Sequence, residues 1–341
     1  MNKIHIVNLL VTRKCNLRCS YCGIVRNMKT LPKTYPKMKH YYDNEMSTKL
    51  ILNFLEKLKN HNPDAFVIIY GGEPILRSDL FEIVQYCNDL KLGYTIISNN
   101  TIELQDKLDD LLNTVHVAGY TASIDPLIIS DSTDVDRRVK SEQGLERLLQ
   151  YKYIIKDLVA EITVDKNNVP YLYDLVKKLS DLGINSDITF IDTAKSPYYD
   201  FSNINDPNLL IKDTIEVKKI FDRIIKDNLD VHMAKSLLPK IVEALPSKLD
   251  CKMEKDINTI CVDADGTMRL CLRIKGTSTP RVEIDKLFAQ NGKLDPFFID
   301  SIKTDKQNYC RLCNHTCYIM GDLISKGVSS SELVHEDKRG D

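Results

Sequence analysis

Ile4-His5-Ile6-Val7-Asn8-Leu9-Leu10-Val11-Thr12-Arg13-Lys14-Cys15-Asn16-Leu17-Arg18-Cys19-Ser20-Tyr21-Cys22 is a short, β-branched run that empties into a loop bearing three thiols. Ile4 to Val11 reads as a strand, and the cysteines follow where that strand ends. A cube-shaped 4Fe-4S cluster normally takes four protein ligands, so three thiolates leave one iron open to a small molecule, as an open position marks a catalytic metal. The alternatives are a zinc knuckle, for which a fourth nearby ligand is missing, and unlinked free thiols.

Working outward, the same strand pattern recurs at Ala65 to Tyr70, Tyr94 to Ile97, Val115 to Ile124, Leu158 to Val164 and Asp187 to Ile191. Between these runs, apolar residues at three and four spacing predict helices over Thr48 to Lys59, Asp79 to Leu90, Ile102 to Leu112, Gln143 to Tyr151 and Val169 to Leu182. Strand and helix in alternation mean parallel β/α units. The expected fold class is therefore α/β, a partial (β/α)6 TIM-like barrel, followed by a small C-terminal cysteine-rich α+β domain. We divide the chain into a barrel core over 1–210, a helical connection over 211–248, a cysteine-rich domain over 249–325 and a polar tail over 326–341. The connection holds helical patterns over Ile211 to Asp227 and Met233 to Leu245. Parallel barrels keep their chemistry at the C-terminal ends of the strands, so the loops after strands are where function is sought. By that rule the loop from Gly23 to Asn44 and the linker from Thr193 to Asn208 are expected to shape a substrate pocket.

Composition narrows the classes. Forty-seven Lys and Arg against forty-eight Asp and Glu give a formal net charge of −1, so no global field attracts nucleic acid or an anionic membrane. The N-terminus lacks a signal-peptide apolar region, and no stretch approaches the ~18 apolar residues of a membrane span. A cytoplasmic protein with no membrane or nucleic-acid partner is expected. Ten cysteines in such a chain call for metal or redox chemistry rather than a disulfide framework.

Cys15-x3-Cys19-x2-Cys22, with an aromatic residue before the last cysteine, resembles the signature of the radical S-adenosylmethionine (SAM) superfamily. The second strand runs into Gly71-Gly72-Glu73-Pro74, which is similar to that family's glycine-glycine-glutamate motif. Paired glycines let backbone approach a ligand closely, and the following carboxylate suits an ammonium group. The resemblance implies a 4Fe-4S cluster on Cys15, Cys19 and Cys22 whose open iron binds SAM. It further implies contact of Tyr21 with the adenine and of Gly71 to Pro74 with the SAM amino group. Ser98-Asn99 ends the third strand and Ser123-Ile124-Asp125 the fourth; by the same resemblance Ser98, Asn99, Ser123 and Asp125 contact SAM or substrate. As isolated tripeptides they equally suit ordinary turns and helix caps.

The last third carries Cys251, Cys261, Cys271, Cys310, Cys313 and Cys317. Ile257 to Leu270 predicts two β segments around Ala264-Asp265-Gly266-Thr267, a turn that would bring Cys251 and Cys271 together, and Cys310-x2-Cys313 adds a close pair. The spacing from Cys251 through Gly266 to Cys271 resembles the start of SPASM and twitch extensions of the same superfamily. The cysteine run then stops early, which favours the twitch form with one auxiliary 4Fe-4S cluster on Cys251, Cys271, Cys310 and Cys313. Cys261 and Cys317 are spare, either able to substitute, and a zinc site with four cysteines is the alternative. Cys87, alone on an apolar helix face, reads as a small core residue.

The resemblance implies an oxidoreductase. It cleaves SAM reductively to a 5′-deoxyadenosyl radical, which abstracts hydrogen from substrate, and it draws its electron from an external flavodoxin- or ferredoxin-type donor. The first expected substrate is a small metabolite of cyclitol or sugar-alcohol type, oxidised by two electrons with the auxiliary cluster as acceptor. The second is a peptide or protein side chain. The cysteine loop begins fourteen residues from the start, which leaves no room for an N-terminal leader-binding domain and tilts the expectation toward the small molecule. A non-enzymatic iron–sulfur or zinc scaffold or sensor is the reading of another class; it explains the cysteines but not the glycine-glycine-glutamate segment.

Overall fold

Alternating exposure along the strands, and apolar residues three and four apart along the helices, build the first six units. The computed structural model of the chain describes residues 3–19, 22, 24, 44–125, 135–191, 211, 214–232, 235, 238–239, 242, 259–269, 282–289, 292–296 and 298–300. The strands are β1 Ile6–Thr12, β2 Phe66–Gly71, β3 Gly93–Ser98, β4 Gly119–Ser123, β5 Asp157–Val164, β6 Asn185–Phe190, β7 Thr259–Val262, β8 Thr267–Arg269 and β9 Val282–Glu283. The helices are α1 Thr48–His61, α2 Leu80–Asp89, α3 Gln105–Thr114, α4 Val135–Leu148, α5 Leu172–Asp181 and α6 Thr214–Lys226.

All nine strands share one sheet, in the order β6-β5-β4-β3-β2-β1-β7-β8-β9. Pairing is parallel from β6 across to β7 and antiparallel between β7, β8 and β9. This is the expected partial TIM-like α/β fold, with one addition. The predicted hairpin forms, and β7 lies against the free edge of β1, with Ile6 opposite Thr259 and Leu9 opposite Val262. Gly266, at φ +81°, takes the left-handed position that closes the β7–β8 turn.

One face of each strand packs on the helices. Val7, Leu9 and Val11 of β1 join Ile51, Phe54, Leu55 and Leu58 of α1 in the main core. Those four α1 residues are at most 1 % exposed. Each such side chain contributes about 1.5–3 kcal/mol relative to an exposed one. Ser47 caps α1, its hydroxyl accepting from the Leu50 N–H at 3.3 Å. Cys87 is a buried member of the same core, as expected. The opposite strand faces point into the barrel.

The predicted boundaries shift in two informative places. Val115 to Ala118 stay outside β4, because the Tyr94 hydroxyl donates to His116 O at 2.9 Å and accepts from Ala118 N–H at 3.1 Å. Two of their backbone groups thus bond to a side chain in place of a ladder. Helix α4 begins at Val135, eight residues before the predicted Gln143, and a 3-10 turn covers Leu149–Tyr151. The expected helix over Met233 to Leu245 and the tail over 326–341 lie mostly or wholly outside the described residues, as do the two loops expected to shape a substrate pocket. Among the described residues no helix is long and apolar enough to cross a membrane.

Helix α4 crosses the end of β3 so closely that a Cβ on Gly144 would overlap the Asn100 carbonyl oxygen. Gly144→Ala is therefore expected to cost about 1–3 kcal/mol through overpacking. Urea denaturation checks this: the midpoint should fall while the slope stays that of the native protein.

Candidate active site at the strand ends

The loop after β1 carries Cys15, Cys19 and Cys22, all half-buried. It is shaped by its own backbone. The Cys22 N–H donates to Cys19 O at 3.2 Å, and the Arg18 guanidinium donates to the carbonyls of Cys15 at 2.7 Å and Leu17 at 2.6 Å. The end of β2 then clamps the loop from one side. Gly72 N–H donates to Thr12 O and Glu73 N–H to Lys14 O, each at 2.7 Å. A Cβ on Gly71 would overlap the Thr12 carbonyl oxygen, and one on Gly72 that of Lys14. The paired glycines thus admit the cysteine loop to close backbone contact.

Glu73 has a fully buried carboxylate that is turned toward β3. It accepts from Asn99 N–H at 2.8 Å, Ser98 Oγ at 2.9 Å and Ile75 N–H at 3.1 Å. Burial pushes the carboxyl up to about 7, against the pull of these three donors. Pro74 opens the 3-10 turn Pro74–Leu76 that Glu73 caps.

That anchorage aims Asn99 at the cysteines. Its side-chain amide lies 3.7 Å from the Cys15 sulfur and donates to Asn16 Oδ1 at 2.8 Å. The Asn16 amide in turn donates to Thr101 Oγ1 at 2.8 Å. Asn16 and Thr101 were not singled out from sequence, though Asn16 stands inside the cysteine motif. The Leu17 N–H gives Cys15 a further donor at 3.4 Å. Burial pushes the Cys15 thiol up to about 11, against the Leu17 N–H, and nearby Glu73 and Cys22 add to the rise. A metal bound at Cys15 would have to displace this proton.

Three half-buried thiols on one loop, with two N–H donors directed at the Cys15 sulfur, suit an iron–sulfur cluster with an open iron. Among the described residues no group of three or more His, Cys, Asp and Glu side chains is placed to hold a single metal ion. A cube takes each thiolate at a different iron, so single-ion spacing is not what it requires. Tyr21, Cys251, Cys271, Cys310, Cys313 and Cys317 lie outside the described residues. Cys261 is buried in β7 opposite Asn8.

Ser123 ends β4, half-buried and on the barrel's inner face. Asp125 is buried and accepts from Thr163 N–H at 3.1 Å, so part of its bonding capacity ties β4 to β5. The ladder sets Ser123 opposite Glu161 and Glu161 opposite Asp187. Thr189 Oγ1 donates to Glu161 at 3.4 Å. Burial pushes the Asp187 carboxyl up, and nearby His232 pulls it back. These acids escaped the motif search, although polar residues at every second position of Glu161-Ile162-Thr163 and Asp187-Ile188-Thr189 mark an inward face.

Residues 9–192 match the Radical SAM superfamily. The chain is similar to an uncharacterized protein of Methanocaldococcus jannaschii, 31 % identical over 53 % of this chain and 60 % of that protein. It is also similar to an AdoMet-dependent heme synthase of Oleidesulfovibrio alaskensis, 27 % identical over 51 % of this chain and 42 % of that protein. The matches thus span about half the length of these curated relatives. Streptococcus suis SuiB, solved bound to S-adenosylmethionine, shares the fold with TM-score 0.63 and 14 % identity, over 98 % of this chain and 77 % of SuiB.

Gly72→Ala should displace the Lys14 backbone and with it the cysteine loop. We expect iron per chain after anaerobic reconstitution to fall at least about twofold, with far-ultraviolet circular dichroism unchanged, because the clash is local.

Proposed function

The chain belongs to the radical SAM superfamily, and from that premise we propose that it oxidises a small polyhydroxylated metabolite, of cyclitol or sugar-alcohol type, by two electrons. It is an enzyme of that superfamily, which sets aside a non-enzymatic scaffold. In this reading Cys15, Cys19 and Cys22 hold the catalytic 4Fe-4S cluster. Tyr21, Gly71, Gly72, Glu73, Pro74, Ser98, Asn99, Ser123 and Asp125 surround SAM, with Glu73 acting through Ser98 and Asn99. Cys251, Cys271, Cys310 and Cys313 hold the auxiliary cluster, and a cytoplasmic flavodoxin or ferredoxin supplies the first electron. The catalytic cluster, once bound and reduced, supplies the electron that splits SAM into methionine and a 5′-deoxyadenosyl radical.

The remaining steps fall to this chain's own groups. The observation that carries the substrate class is the inner wall of β5 and β6, where Glu161 stands opposite Asp187 beside the Thr189 hydroxyl. Carboxylates that accept hydrogen bonds fit a substrate rich in hydroxyls. A wall carboxylate would accept the hydroxyl proton of such a substrate, and Cys251, Cys271, Cys310 and Cys313 would hold the cluster able to take up the second electron as alcohol becomes ketone. A barrel interior also excludes water and stray hydrogen donors from a reactive radical.

Fold likeness favours a second reading, a peptide side chain. SuiB has also been solved bound to its precursor peptide SuiA, and this chain matches that structure over 99 % of its length with TM-score 0.62. The acidic wall would then face a basic or hydroxyl-bearing side chain.

Anaerobic reconstitution should load about eight irons per chain, falling to about four when Cys15, Cys19 and Cys22 are all changed to Ala. An unchanged iron content in that variant would remove the catalytic cluster from this loop. Glu161→Gln should slow turnover of a responding polyol by about 10²-fold or more while SAM cleavage without substrate stays within about twofold. Equal loss of both would place Glu161 in SAM binding instead.

A further inference from the structure

The cysteine loop is held on two flanks, and the second lies about 250 residues away in sequence. Strand β7 pairs with β1 only as far as Leu9 and Val262. Beyond that point the chain turns, and Asp263 Oδ1 accepts from the Ala264 N–H at 2.7 Å. In place of further ladder, Arg13 reaches across to the turn. Its guanidinium pairs with the Asp263 carboxylate, stands 3.6 Å from Asp265, and donates to Asn44 O at 3.4 Å. The pair is dry: the side chains of Arg13 and Asp263 are 3 % and 2 % exposed. A second bond, Met46 N–H to Ala264 O at 2.6 Å, seats the same turn on the residues before α1.

Arg13 stands two residues before Cys15. A guanidinium is a rigid fork, so its partner fixes direction as well as distance. On the opposite flank Lys14 O is bonded to Glu73 N–H. The backbone leading into the first thiol is therefore oriented from both sides, once by β2 and once by the C-terminal hairpin. A buried ion pair is a costly way to gain stability alone, since apolar residues of like volume serve as well; its distinctive return is a specified geometry.

We propose that Arg13 and Asp263 are a positioning pair that makes loading of the first cysteine site depend on the C-terminal hairpin. The proposal rests on the reading that Cys15, Cys19 and Cys22 hold a cluster. It assigns the hairpin a task at the first site, separate from any auxiliary cluster its flanking cysteines hold.

The test uses the full chain, reconstituted anaerobically and reduced, and follows the paramagnetic resonance signal that shifts when SAM is added. That signal belongs to the first site alone. Asp263→Asn should lose it at least fivefold, with far-ultraviolet circular dichroism intact, and Asp263→Glu should regain most of it. Because a buried Arg13 that has lost its main partner can unfold the chain, the double variant Arg13→Met with Asp263→Leu provides the second measurement. It removes both charges, and is expected to fold and still lack the signal. A folded double variant with native signal and native iron would overturn the proposal and leave the pair a simple staple. Failure of the underlying reading looks different: the native protein itself would show no signal that shifts with SAM.

Discussion

Everything at the strand ends depends on backbone meeting backbone where β2 passes β1. Gly71 and Gly72 lie so close to Thr12 and Lys14 that no side chain fits between them. That contact brings the residue after the glycines beneath the third strand. Glu73 can then accept from Ser98 and Asn99, and Asn99 can direct its amide at Cys15. The chain of dependence runs from the absence of two methyl groups to the surroundings of one sulfur.

The site is also organised by charges that water does not reach. Glu73 and the Arg13–Asp263 pair are buried, and each is surrounded by donors or an opposite charge. Left alone, such groups would be strongly unfavourable; satisfied, they permit few alternative arrangements of the loop. The interior wall is different in kind. Ser123, Glu161 and Asp187 are half-buried, and they face the space the barrel encloses. Groups with bonding capacity left over are the ones a substrate can use.

Much of this was legible in the sequence, and the rest was hidden for identifiable reasons. Strand and helix periodicity is local, so the six β/α units could be read, all but helix α4 within about four residues of their ends. The three-thiol loop and the glycine pair are local too. Where sequence misled, a distant partner had intervened. The Tyr94 hydroxyl holds Val115 to Ala118 out of the fourth strand. Arg13 with Asp263, and Asn16 with Thr101, pair residues that no spacing rule connects. Glu161 and Asp187 were visible as alternation but lacked a motif, and only strand register shows them side by side.

The place of β1 in the sheet has a consequence for how the protein is made. β1 is made well before its second neighbour, β7, which begins at Thr259. At roughly 5–20 residues per second, synthesis leaves that edge open for on the order of ten seconds to a minute. During that interval the chain carries a strand with one open edge and three oxidisable thiols, and pairing so distant in sequence is slow to form. Until β7 is made, β1 and its thiol loop therefore depend on shielding from aggregation and oxidants.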